Sequence, residues 1–256
     1  MTTPAERPGR TQRPPRPVVT LEVQSTQRLT PHLVRVVAGG PGFADFTDNG
    51  KTDKYVKIRF GEVTRTYTVR GVDPEAGTLT IDFVVHGDEG VAGPWAAAAR
   101  PGDTLTFVGP GGAYSPDPDA DWHLFAGDAS ALPAIGAALE ALPGDAKGVA
   151  HLLVEDETEV LELAAPAGVE LRWLCHAPAG SDPGLLAAAL TADPWRDGRV
   201  QVFAHGERES MKAIRAVLKD RQVPRQDISL SGYWALGRTE DRFQAEKREP
   251  IGQIPD

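Results

Sequence analysis

Residues 65 to 70 read Arg65-Thr66-Tyr67-Thr68-Val69-Arg70, setting two guanidinium groups, an aromatic ring and a hydroxyl along one short predicted strand. Alternate residues of a strand share a face, so Arg65, Tyr67 and Val69 are expected on one side and Thr68 and Arg70 on the other. An aromatic ring can cover an isoalloxazine, a hydroxyl can reach a ring nitrogen, and a guanidinium can hold a diphosphate through two N–H donors. That set suits a flavin. Taken alone, the same pattern also describes an amphipathic strand with Tyr67 in a core and the arginines in solvent.

Three further stretches carry usable chemistry. Val84-Val85-His86-Gly87-Asp88-Glu89-Gly90-Val91-Ala92-Gly93-Pro94-Trp95-Ala96 leads from a strand into an alanine-rich helix over 92–100, whose first N–H groups and dipole favour an anion such as a diphosphate. Ala126-Gly127-Asp128-Ala129-Ser130-Ala131-Leu132-Pro133-Ala134-Ile135 reads as a strand end, a tight turn and a helix capped by Ser130, with Leu132 and Ile135 packing inward. It contains no G-x-G-x-x-G fingerprint, and a capped helix without any ligand stays open as an alternative. Gly232-Tyr233-Trp234-Ala235-Leu236-Gly237-Arg238-Thr239-Glu240-Asp241 ends a strand on two aromatic rings. The run Lys51-Thr52-Asp53-Lys54-Tyr55-Val56-Lys57-Ile58-Arg59 is the candidate positive mouth for an anionic substrate, and is also what a solvated barrel surface would show.

In this order and spacing the four blocks resemble the siderophore-interacting proteins, FAD-dependent ferric-siderophore reductases related to the ferredoxin reductases. The resemblance runs from about Val18 onward. It implies an antiparallel FAD-binding β-barrel followed by a mostly parallel α/β nucleotide-binding domain. It also implies a FAD site drawn from Arg65, Tyr67, Thr68, Val69, Arg70, Asp82, Val84, His86, Gly90, Ala92, Gly93, Trp95 and Ala96, with Thr68 tuning the flavin. Asp128, Ser130 and Ala131 would serve NADPH or NADH, and Tyr233 and Trp234 would shield the flavin. Lys51, Lys54, Lys57, Arg59 and Arg238 are the substrate candidates. Departures from the family pattern are Val91 for a proline, Gly93 for a serine, Ala129 and Ser130 within G-D-x-T-A-L-P-A-I, and Ala235 where an arginine usually follows the tryptophan.

The implied reaction passes electrons from NAD(P)H through flavin to an Fe(III)-siderophore and releases Fe(II) in the cytoplasm, with no general acid or base expected from the protein. Three alternatives stay open: ferredoxin as donor, a general flavin or quinone reductase, and a siderophore-binding protein without chemistry. Acids 155–157 read as a solvated polar loop, and the charged stretch 238–249 reads as a solvated helix.

Composition bounds these expectations. The 256 residues allow about two domains, and no apolar run is long enough to span a bilayer. A net charge of −9 argues against nucleic-acid binding. One cysteine, Cys175, excludes an internal disulfide and a four-cysteine iron–sulfur cluster; its apolar surroundings predict a buried thiol. The six histidines show no metal-ligand spacing. Short β-rich runs from Val18 to about Gly112 predict a barrel, and strand–helix alternation from Trp122 predicts a covered parallel sheet. The expected divisions are a disordered tail without a secretory core over 1–17, a barrel over 18–113, a linker over 114–120 and an α/β domain over 121–256.

Overall fold

The computed structural model describes residues 17–85, 90–178 and 180–254. The segment expected to be a tail, up to Arg16, lies outside the described residues, as does His86. Among the described residues, six antiparallel strands close a barrel in the order β1-β2-β5-β4-β3-β6. They are β1 (Val18–Thr30), β2 (Leu33–Gly39), β3 (Tyr55–Phe60), β4 (Val63–Asp73), β5 (Thr78–Val84) and β6 (Thr104–Gly111). Strand alternation builds the interior: Val19, Leu21 and Val23 of β1 are almost wholly buried, while Val18, Thr20 and Glu22 between them are exposed. Helix α1 (Ala92–Ala98) adds Ala92, Ala96 and Trp95 to the same core.

The second half is a parallel sheet, ordered β11-β10-β7-β8-β9, from β7 (Trp122–Asp128), β8 (Lys147–Val154), β9 (Gly168–Cys175), β10 (Val200–Glu207) and β11 (Ile228–Trp234). Every residue of β7 is buried, as a central strand covered on both faces requires. Helix α2 (Leu132–Glu140) packs on one face; α3 (Leu185–Ala192) and α4 (Arg208–Asp220) pack on the other. Between β8 and β9 a single 3-10 turn (Glu157–Glu159) and an irregular stretch stand in place of an α-helix, and Leu161, Leu163 and Ala165 cover the sheet there. A short helix α5 (Glu240–Glu246) follows β11.

Two local expectations change. Cys175 is exposed, because it ends β9, the sheet's edge strand, beyond the cover of the helices. Ser130 does not cap α2: the cap position is Ala131, and Ser130 bonds back to Asp128 instead. β6 runs to Gly111, and Tyr114 is buried against Phe203 with ring centroids 4.7 Å apart. Asp53 accepts hydrogen bonds from the amides of Ala113 and Tyr114 at 2.8 Å each.

Candidate functional site

A cleft of about 510 Å³ lies between the barrel and the carboxyl ends of the sheet strands. This is within the roughly 300–1,000 Å³ typical of small-molecule and cofactor sites. The sheet order reverses between β7 and β10, and open α/β sheets bind ligands at such a point. The barrel contributes Tyr55 and Lys57 of β3, Thr66, Tyr67 and Thr68 of β4, and Asp82 and Val84 of β5. The sheet contributes Asp128, Ala129, Ser130, Pro133, Ser231, Tyr233 and Trp234, and α5 closes one side with Glu240, Gln244 and Lys247.

On the barrel wall, ladder pairing sets Tyr55 opposite Thr68 and Lys57 opposite Thr66. Tyr67 packs its ring on Phe83 at 4.4 Å, and Phe83 meets Trp95 at 5.6 Å, so a run of aromatic rings links α1 to the cleft. Burial raises the Tyr67 and Tyr233 hydroxyls above the ordinary phenol range, so both stay neutral donors. Tyr233 and Thr68, drawn from different domains, meet through their side chains. Asp82 is held by Arg35, its ladder partner, through two bonds of 2.7 Å. This fixes the Asp82 side chain within the barrel wall of the cleft.

The sheet wall is organised by Asp128. Its buried carboxylate accepts from Ser130 N at 2.9 Å, Ser130 Oγ at 2.5 Å, Glu207 N at 2.7 Å and Trp234 Nε1 at 2.9 Å. Burial pushes this carboxyl upward, against the pull of the four donors. The Trp234 indole is therefore tied to the turn after β7. On its other side it lies against Gly180, where an added Cβ would come within 2.8 Å of the ring.

Other residues singled out from sequence lie elsewhere. Arg65 pairs with Asp241 at 3.3 Å and Glu240 at 3.9 Å, joining β4 to α5. A register shift between Val69 and Gly71 leaves Arg70 as the extra residue of a bulge, and its guanidinium pairs with Glu140 of α2 and lies over Gly136. Val69, Ala92, Gly93 and Ala96 are buried in or beside the barrel core, and Ala131 in the sheet core. Gly90 is exposed with φ 76°, and α1 starts without a side-chain cap among the described residues. Of the basic candidates only Lys57 lines the cleft. Lys51 is half-buried before β3, Lys54 pairs with Asp48, Arg59 is exposed, and Arg238 pairs with Glu246.

The helix expected over 238–249 is present as α5, but the sequence reading gave it no part in the site. Glu240, Gln244 and Lys247 recur at i, i+4 and i+7 and share one face, a signal that was present but looked like surface pairing. Glu246 is not solvated either: it is buried and accepts from Arg208 at 2.7 Å, Arg238 at 2.8 Å and Arg242 at 2.9 Å. Hydrogen bonding, first from Arg208, holds its carboxyl down at about 2.

A closed barrel joined to a parallel sheet through a shared cleft defines the ferredoxin-reductase-like class of two-domain proteins. Residues 120–237 match the family model described as siderophore-interacting protein, and residues 22–63 and 61–114 match the siderophore-interacting FAD-binding domain. The chain belongs to the siderophore-interacting protein family. An uncharacterised protein of Mycobacterium tuberculosis (strain H37Rv) is 41% identical over 91% of this chain and 96% of its own. Ferric vibriobactin reductase ViuB of Vibrio cholerae is 38% identical over 76% of this chain and 73% of its own. A siderophore utilization protein from T. fusca superimposes with a TM-score of 0.81 at 38% identity, covering 89% of this chain and 96% of that one.

Proposed function

We propose that this protein is a flavin-dependent ferric-siderophore reductase. The observation that carries the reading is the shared cleft, in which Tyr67 and Thr68 of the barrel face Tyr233 and Trp234 of the sheet domain. The family models and the similarity to a named ferric vibriobactin reductase support it.

The residues present fit FAD. Tyr67, Tyr233 and Trp234 offer aromatic surface to an isoalloxazine, and Thr68 offers a hydroxyl to a ring heteroatom. The amides of Ala92 and Gly93 at the uncapped start of α1 are donors for a diphosphate. Arg65 and Arg70 reach a diphosphate only by exchanging their present carboxylate partners for it. Bound there, FAD would let a two-electron donor serve a one-electron acceptor. Asp128 holds Trp234 in place, and the turn Asp128–Ser130 offers the nicotinamide dinucleotide a seat at the sheet's switch point. Lys57 and Lys247 give the cleft its positive end, where an anionic ferric complex would dock despite the overall charge of −9. Reduction of the iron weakens its hold on hard oxygen donors, and Fe(II) is released in the cytoplasm.

A ferredoxin is the rival donor. Anaerobic mixing of the FAD-loaded protein with NADH, NADPH or reduced ferredoxin, each with a ferric siderophore and a ferrous trap, tests both. The reading expects trapped Fe(II) with a nicotinamide dinucleotide, faster than with ferricyanide or quinone turnover under the same conditions. Fe(II) from ferredoxin alone would reassign the donor, and none from any donor would overturn the function.

A further inference from the structure

Helix α5 turns Phe243 and Glu246 into the protein and presents Glu240, Gln244 and Lys247 to the cleft. Glu240 is the one acid among those three. Its Oε1 accepts from the Thr66 amide at 3.3 Å, and Arg65 of β4 approaches Oε2 at 3.9 Å. Thr66 immediately precedes Tyr67 and Thr68, so the carboxyl is fixed to the strand that forms the barrel wall. Lys57 of β3 and Lys247 line the same cleft. The other charged neighbour, Asp241, points outward, 71% exposed and paired with Arg65. Burial is the largest influence on Glu240 and raises its carboxyl, against the Thr66 amide and Arg65; burial also lowers the Lys247 ammonium. Glu240 thus also ties α5 to the barrel, while Glu246 anchors the other end of the helix through its arginine cluster.

We propose that Glu240 is the general acid of iron release, passing its proton to a siderophore oxygen as that oxygen leaves the iron. The inference rests on the ferric-siderophore reading above. One electron from a reduced flavin converts Fe(III) to Fe(II), and the iron–oxygen bond breaks with its electron pair on oxygen. That oxygen takes the Glu240 proton, which blocks rebinding. The carboxylate left behind is reprotonated from solvent at the mouth of the cleft. Lys57, Lys247 and Glu240 line one cavity, so catecholate or hydroxamate oxygens drawn to the two ammonium groups would come within reach of this carboxyl. Positioned proton donors contribute about 10²- to 10⁴-fold to such steps.

The test compares wild type, Glu240→Gln and Glu240→Asp, all loaded with FAD. Gln keeps an acceptor for the Thr66 amide but transfers no proton. With flavin reduced by dithionite and a ferric tris-catecholate as substrate, E240Q is expected to release Fe(II) roughly 100-fold more slowly. It should lose the wild-type decline in rate as pH rises through the Glu240 titration, and E240D should recover part of the rate. A second readout needs no turnover. Calorimetric binding of the redox-inert Ga(III) tris-catecholate in two buffers of different ionisation enthalpy is expected to show more proton uptake by wild type than by E240Q. Equal release rates and pH profiles in wild type and E240Q would overturn the inference and leave the reductase reading standing. A wild type that reduces no ferric complex would overturn both.

Discussion

His205 shows how far burial alone can set the behaviour of a side chain. Its ring stacks on Phe203 at 3.9 Å, its Nε2 meets Ser229 Oγ at 3.0 Å, and its Nδ1 has no partner. Burial, the dominant cause, holds its pKa down to about 3. The unfolded chain therefore binds a proton near pH 6.5 that the native chain refuses until about pH 3. His205 costs no stability above pH 6.5. Below it, stability falls by up to about 1.4 kcal/mol per pH unit. Denaturant unfolding of His205→Phe between about pH 6 and pH 4 should show a shallower loss than wild type; identical slopes would refute this origin. None of this could be read from sequence, where His205 merely ends a strand. The Arg65–Arg70 run was legible as chemistry, but the partners that hold both arginines come from α5 and α2, far along the chain. Asp128 was legible as part of a turn, while its bond to Trp234 spans 106 positions.

Most elements could be read because each carries one period throughout. The strand Tyr55–Phe60 alternates cleanly, and the buried run Trp122–Asp128 reads as a central parallel strand. Two details escaped: the bulge at Arg70, which only Gly71 inside the strand hints at, and the way helix α5 is held. Helix α5 is seven residues long, too short to be stable by itself, and its anchor Glu246 depends on Arg208 of another helix. Removing that carboxylate leaves Arg208, itself buried, without its main partner. For Glu246→Ala, amide exchange over residues 240–252 is expected to rise roughly tenfold or more, with the barrel strands unchanged. Unchanged exchange in α5 would show that Phe243, not the arginine cluster, holds the helix.

At the scale of the whole molecule, three seams lock the barrel to the sheet around the cleft. Arg70 pairs with Glu140 on one side, and Arg65 with Glu240 and Asp241 on another. On the third, Glu159 accepts from Thr30 Oγ at 2.5 Å and meets His32 Nδ1 at 2.8 Å. Sequence pattern separated the two architectures but could not foresee these seams, since each joins residues that are distant in the chain and unremarkable alone. They leave a preformed gap in which residues of both halves face one another, and the central claim is that this gap seats a flavin. Titrating FAD into flavin-free protein, followed by flavin fluorescence and visible absorbance, tests that claim most directly. The account predicts saturable one-to-one binding with quenched flavin emission, weakened at least about tenfold in Tyr67→Ala, a loss of about 1.4 kcal/mol. Absence of binding, or equal affinity in the wild type and Tyr67→Ala, would contradict it.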